Sequence, residues 1–430
     1  MERKIYNELL RWKNDEHRKP LILNGVRQCG KTYILKEFGK REFQSLAYIS
    51  CDRNEDLSLL FETGFNIPKI IRGISALTGT DIVPGKTLIF LDEVQDFPKA
   101  LEALKYFCED ARQYHIVVAG SLLGITLHSH TSFPVGKVNT MQLYPMSFEE
   151  FLMAMGEKQL LRIMHDHDYE LLNSLHDKCK DLLRQYYYVG GMPEVVKAYV
   201  ENGQLNLVRK LQNEILDNYA NDFSKHAPQS EVARINMVWQ SLLGQLSKEN
   251  KKFIYGALKK GGRAKEFELA IQWLIDAGLV YKVNKCSKAE LPLKFYEDFS
   301  AFKLYFSDCG LMGAMADTEA KNVILDDSIF SEYKGAFTEQ YVLQQMVASG
   351  IRHIYYYSAE SSRLEMDFLI QQGGCLLPIE VKGGTSIKAT SLHNYLMSHK
   401  ELHAIRFSML PYRKQEYLTN MPLYTAFLLK

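Results

Sequence analysis

Little in this chain marks it for export, for a membrane or for a metal cluster. Its seven cysteines (Cys29, Cys51, Cys108, Cys179, Cys286, Cys309, Cys375) are scattered over 430 residues, and no two stand at C-x-x-C spacing. That pattern signals neither a disulfide framework nor a zinc site, and a reducing cytoplasm is the expected compartment. The amino terminus, Met-Glu-Arg-Lys-Ile-Tyr, has no apolar run of signal-peptide length. No stretch approaches the roughly 20 apolar residues that crossing a bilayer takes, so no membrane association is expected. Charge of one sign is missing too: 52 Lys and Arg against 51 Asp and Glu leave a net +1, so any basic surface for nucleic acid has to be local. Internal repeats and low-complexity tracts are absent. What remains is a globular composition in a chain long enough for roughly two to four domains.

The apolar pattern divides the chain. Ile5, Leu9 and Trp12 stand at helical spacing and predict a short lead-in helix. Buried strands are expected at 20–26, 46–50, 87–91 and 115–119, with helices over 31–38 and 100–111. Continuous apolar strands separated by helices imply an α/β domain with a parallel sheet covered on both faces. From Ser147 to about Phe223 the period is helical, broken by a turn at Val189-Gly-Gly-Met-Pro193. More helices follow to Asp276, then strands at 279–283 and 302–306, a helix-then-hairpin order that suggests a winged-helix unit. The last hundred or so residues read as another α/β unit, with a helix over 337–348, strands at 353–357, 366–370 and 376–381, and a helix after Ser391.

Gly25-Val26-Arg27-Gln28-Cys29-Gly30-Lys31-Thr32 matches G-x-x-x-x-G-K-[ST], between an apolar strand and a helix start. Glycines let successive N–H groups turn toward phosphate oxygens, and the helix N-terminus adds partial positive charge. These eight residues and Tyr33 are the expected ATP-binding segment. Lys31 would reach the β- and γ-phosphates and Thr32 would ligate Mg²⁺. Leu88-Ile-Phe-Leu91-Asp92-Glu93 is an apolar strand ending in two carboxylates. Asp92 is expected in the magnesium shell and Glu93 as the base that polarises an attacking water. Ser121, after Ile116-Val-Val-Ala-Gly120, is expected to sense the γ-phosphate or orient water.

With Leu91-Asp-Glu-Val-Gln95, Ala119-Gly-Ser121, Leu143-Tyr-Pro-Met-Ser-Phe-Glu-Glu-Phe-Leu152 and Gly190-Gly-Met-Pro193 beside the phosphate motif, the chain resembles a bacterial and archaeal group of AAA+ ATPases carrying a carboxy-terminal domain of unknown function. The resemblance covers essentially the whole chain. It implies a AAA+ core (residues 1–146), a helical lid (147–228), a winged-helix-like middle (229–316) and a nuclease-like, restriction-endonuclease-type α/β end (317–430). It also implies that Ser121 is the first sensor and that an arginine finger comes from a neighbouring subunit of a homo-oligomer. Arg27, Arg184 and Arg234 are candidates for such roles.

The carboxy-terminal pattern carries chemistry of its own. Asp367 opens one apolar strand, and Glu380 and Lys382 project from one face of the next, after the turn Gln371-Gln-Gly-Gly374. This resembles the PD-(D/E)xK nuclease core, in which two carboxylates bind a divalent metal and the lysine helps activate water. Glu339 matches the position of a further acidic ligand. The other reading is a nuclease-like scaffold used for contact alone. Lys251, Lys252, Lys259, Lys260, Arg263 and Lys265 form a basic stretch that reads either as a DNA-backbone contact or as a solvated face; Phe253, Tyr255 and Phe267 among them read as core. The functional expectation is an Mg²⁺-dependent ATPase coupling nucleotide state to a nuclease-like, nucleic-acid-interacting domain. The alternative is a signalling switch whose carboxy-terminal domain binds a protein partner without cleavage.

Overall fold

A computed structural model describes residues 1–52, 55–62, 64–120, 134–248, 250–320, 334–359, 364–384 and 390–429. They divide into two compact units, Met1–Tyr144 with Asp276–Leu279, and Pro145–Ile275 with Val280–Lys430. No described helix is long and apolar enough to cross a membrane.

The first unit is α/β. Its strands are β1 (Leu21–Gly25), β2 (Ser45–Ser50), β3 (Thr87–Asp92), β4 (His115–Ala119) and β5 (Asn139–Leu143), in the spatial order β2-β3-β4-β1-β5. Every pairing is parallel. The burial follows from this order: β3 and β4, both central, are buried at every residue, as their unbroken apolar runs require. The outer strands β2 and β5 alternate instead. β5 reads Asn-Thr-Met-Gln-Leu, with no apolar run, which is why the sequence pattern does not announce it. Helices Ile67–Thr78 and Pro98–Asp110 bring Ile70, Ile74, Leu104 and Phe107 against Ile89, Leu91, Ile116 and Val118 of the sheet. The first of these helices starts at Asn66, whose side chain accepts from Lys69 N, and stops at Gly79 in the left-handed conformation.

The second unit joins a helical part to one mixed sheet. Its strands are β6 (Val280–Cys286), β7 (Glu297–Phe306), β8 (Ile354–Ser358), β9 (Glu365–Gln372), β10 (Cys375–Lys382), β11 (Ala404–Ser408), β12 (Arg413–Lys414) and β13 (Leu418–Pro422). Their order is β12-β13-β11-β10-β9-β8-β6-β7. The hairpin β6–β7, which follows helices Val232–Leu246 and Ala264–Asp276, is part of this sheet, because β6 pairs in parallel with β8. Strands expected in the 229–316 and 317–430 regions therefore share one hydrogen-bonded surface. Helix Thr390–Ser398 places Leu392 and Leu396 over Met366, Leu369 and Leu376. From helix Lys334–Ala348, Gln340 both donates to Phe306 O and accepts from Phe306 N, extending the ladder where β7 ends.

The segments Pro145–Leu152 and Gly190–Pro193 meet inside this unit. Ser147 and Glu150 form a capping box that starts helix Phe148–Ala154. Met146 N donates to Gly191 O, and Tyr186 Oη donates to Met146 O at 2.5 Å. A Cβ on Gly191 would stand 2.1 Å from that Met146 oxygen, so no larger residue fits. Buried Asp308 then accepts from Gly191 N at 2.6 Å, from Leu311 N and from Gln344 Nε2. The glycine turn is thus tied to helices Cys309–Met315 and Lys334–Ala348.

Candidate functional site: the phosphate loop and the buried charge cluster

The loop 26–30 leaves the carboxyl end of β1, the position at which open parallel sheets bind ligands. Its path excludes side chains at Gly25, where a Cβ would meet Leu143 O at 2.4 Å. Gly30 caps the following helix, Lys31–Glu42, with φ 95° and ψ 21°, and Gln28 also takes a positive φ of 65°. Cys29 N donates to Val26 O, closing a turn, while the Cys29 thiol donates to Leu143 O. Lys31, buried, donates through Nζ to Gly25 O at 2.7 Å and Val26 O at 3.0 Å. Tyr33 turns outward and is exposed.

β3 brings the two carboxylates to the same end of the sheet. Asp92 is 4% exposed and hydrogen-bonded to the Thr32 hydroxyl. Burial raises its pKa above the usual carboxylate range, against the hydrogen bond from Thr32. Tyr48 Oη approaches Asp92 Oδ2 at 3.4 Å, and Glu93 N donates to Asp92 Oδ1 at 3.1 Å. Glu93 itself sits in the left-handed region, φ 53° and ψ 43°, costly for a residue with a side chain. Its carboxylate accepts from Gln95 Nε2 at 2.7 Å. The strand between β1 and β3 is β4, so Ser121, two residues beyond its end, follows the strand that separates the two motifs; Ser121 lies outside the described residues.

A buried Asp92 bonded to a threonine hydroxyl, beside a lysine-bearing helix start and a loop that admits no Cβ at Gly25, has the donor set that Mg²⁺ with a nucleotide triphosphate requires. Three contributors were not legible in the motif: Tyr48, Gln95 and Arg3. Arg3, also buried, donates to Cys29 O at 3.0 Å and Tyr144 O at 2.6 Å, bracing the loop from the amino-terminal end. Nothing in its sequence surroundings marks it, because its partners are backbone carbonyls far along the chain.

In the second unit the structure places the carboxy-terminal residues in two groups. Glu339 accepts from Lys251 Nζ at 2.7 Å and Tyr305 Oη at 3.1 Å. Lys303, 0% exposed, donates to Glu365 at 2.9 Å and acts electrostatically on Glu339 and Asp367. Asp367 accepts from Val381 N at 2.7 Å; burial first, and Glu339 second, push its pKa up to about 7. Glu380 is bound elsewhere, to Arg406 Nε at 2.7 Å, its cross-strand partner on β11, and to Lys382 Nζ at 3.2 Å. Both oxygens of Glu339 and both of Glu380 are thus taken by donors of the chain itself. Among the described residues no group of three or more His, Cys, Asp or Glu side chains is placed to hold a metal. This donor set fits internal charge compensation and does not fit a divalent cation.

The remaining expected residues are also placed. Lys251 is largely withdrawn into its pair with Glu339, whereas Lys252, Lys259, Lys260, Arg263 and Lys265 are exposed. Phe253 and Phe267 are buried, the first stacked on Phe302 at 5.4 Å, as core residues. Arg184 pairs with Asp181 and Arg234 with Glu231, each one turn away in sequence.

Three family models match the chain. An AAA domain matches residues 17–152, a domain of unknown function (DUF8612) residues 180–322, and another (DUF4143) residues 334–425. No curated protein matches. Among solved structures, a Walker-type ATPase of Pyrococcus abyssi is 12% identical with a TM-score of 0.47, covering 73% of this chain and 95% of its own. The ORC1 protein of Aeropyrum pernix in complex with DNA is 12% identical with a TM-score of 0.30, covering 73% and 90%. The ADP form of the ORC2 protein of Aeropyrum pernix is 13% identical with a TM-score of 0.31, covering 75% and 91%. The AAA match falls on the sheet that carries the phosphate loop, so the first unit is a P-loop domain of AAA type.

Proposed function

We propose that the first unit binds ATP with Mg²⁺ through residues 25–33 and hydrolyses it, with Glu93 as the base. The observation that carries this reading is the Thr32–Asp92 hydrogen bond at the carboxyl end of the sheet, next to Lys31. Thr32 and Asp92 would hold the Mg²⁺, which when bound neutralises phosphate charge. Lys31 would exchange its two carbonyl partners for phosphate oxygens. Glu93, fixed by Gln95, would accept a proton from water, and Ser121 would contact the γ-phosphate. With Arg184 and Arg234 held in pairs on the chain's own acids, an arginine finger is the contribution expected of a second copy.

For the second unit we favour binding over cleavage, because Glu339 and Glu380 are already neutralised by Lys251, Arg406 and Lys382. Its helices and β6–β7 hairpin retain the order of a winged helix, a module suited to a nucleic-acid or protein partner. The test is ATP hydrolysis by the full chain with Mg²⁺, with and without DNA, beside Lys31→Ala. Turnover in the wild type and none in Lys31→Ala is expected, and a wild type without Mg²⁺-dependent turnover would overturn the ATPase assignment. Stimulation by DNA would select the nucleic-acid partner, indifference the protein partner. Divalent-dependent DNA cleavage lost in both Asp367→Ala and Glu380→Ala would restore the nuclease reading.

A further inference from the structure

A cleft of about 520 Å³ opens on the sheet of the second unit, away from the Glu339 and Glu380 clusters. Its walls come from the turn that joins β9 to β10, from residues 349–355 and from the segment before β7. Lys294, Arg352 and His353 line it, and no acidic side chain does. Lys294 and Arg352 are exposed and make no ion pair among the described residues. Two unpaired cations and an imidazole around one concavity recognise an anion.

The residue after Lys294 adds a second chemistry. Phe295, next to the lining residue Lys294 in the turn Leu293–Tyr296, is 84% exposed. A phenyl ring left in water next to a cleft-lining lysine is not explained by packing. Across the cleft, Gly373 and Gly374 both take positive φ and a Cβ on either would meet nothing, so the far rim is bare backbone. Cationic groups that track phosphate, with aromatic rings on which bases stack, are what single-stranded nucleic acid requires. A free phosphate would have no use for the ring, and a duplex would hide its bases from it.

We propose that this cleft binds the backbone of a single-stranded nucleic acid, with phosphates at Lys294, Arg352 and His353 and a base stacked on Phe295. The site is independent of the ATPase assignment and distinct from the basic stretch around Lys259.

Fluorescence anisotropy of the full chain with a labelled oligothymidylate of roughly 20 nucleotides tests it, that length exceeding the ~4–16-nucleotide footprint typical of a single such module. Lys294→Glu with Arg352→Glu should weaken binding at least tenfold and make the log–log salt slope shallower by about 1.4, two contacts at about 0.7 each. Phe295→Ala should cost roughly tenfold with the salt slope unchanged. Lys252→Glu with Lys259→Glu, on the other basic stretch, should leave the affinity within about twofold. Circular dichroism checks each variant, and His353→Gln replaces the double reversal if that variant does not fold. Wild-type affinity in the folded cleft variants would overturn the proposal, as would loss only in the Lys252/Lys259 variant. Competition by inorganic phosphate or thymidine monophosphate as effective as the unlabelled oligomer would also overturn it, leaving a simple phosphate site.

Discussion

Both units bury carboxylates, and the surroundings of Asp92 differ from those of Glu339 and Glu380. Around Asp92 the hydrogen-bond donors are neutral, the Thr32 and Tyr48 hydroxyls and the Glu93 N–H, while the Lys31 ammonium is occupied by loop carbonyls. Around buried Glu339 and Glu380 the donors include Lys251, Lys382 and Arg406, and the fully buried Lys303 acts on Glu339 from nearby. Among the described residues, Asp367 and buried Asp308 of the second unit are likewise bonded by neutral donors, so what marks Asp92 for a cation from outside is its place beside the phosphate loop and Lys31. A buried carboxylate that already has its cation is architecture, costly to break and unavailable to a metal. The contrast assigns chemistry to the first unit and internal cohesion to the charge cluster of the second.

Four variants bear on that contrast, the largest effect first. Glu93→Gln should keep ATP binding and lower turnover by about 10²–10⁴-fold, with the unfolding midpoint unchanged. Turnover at the wild-type rate would remove Glu93 from the role of base. Lys303→Met should do the reverse. Removing a fully buried ammonium that acts on buried Glu339 and its neighbours should cost about 3–5 kcal/mol in denaturant unfolding. A variant as stable as the wild type would mean that the cluster does not hold the fold. Gln95→Ala frees the Glu93 carboxylate and should reduce kcat about tenfold with KM little changed, the signature of a positioning residue. An effect on KM alone would place Gln95 in nucleotide binding instead.

The fourth effect is one of pH. Asp367 holds its proton up to about pH 7 in the folded chain, against about 3.9 when unfolded. The folded state therefore binds more protons across that window, and the stabilisation from this group is lost as pH rises through about 7. Relative to Asp367→Asn, wild-type stability should fall between about pH 4 and 7 and then level off. A difference that does not vary with pH would show that Asp367 ionises as an ordinary carboxylate.

Much of the first unit was legible because its signals are local. Four of its five strands are apolar or strand-forming runs, and the phosphate motif spans eight consecutive residues, so spacing alone brings Gly25, Lys31 and Thr32 together. What was hidden is long-range or apolar-poor: Arg3 on Cys29 O, Tyr48 beside Asp92, and the alternating edge strand β5. In the second unit the strands β8–β10 were visible as apolar runs, but the sheet that joins β6 to β8 was not, because parallel pairing between distant segments leaves no local trace. The spacing of Glu380 and Lys382 was read correctly as one face of a strand, yet Arg406, which takes Glu380 from the side, comes from a strand the pattern did not reveal. Short strands β11–β13 have too few apolar residues in period to stand out.

The most direct measurement is calorimetric titration of ATP, with Mg²⁺ and with EDTA, into the wild type and Asp92→Asn, with thermal unfolding of both in the absence of nucleotide. Asp92→Asn, relieved of a buried charge with no bonded cation, should unfold no earlier than the wild type and lose the gain in ATP affinity that Mg²⁺ confers. An Asp92→Asn protein that is clearly less stable yet keeps that Mg²⁺-dependent gain would contradict it.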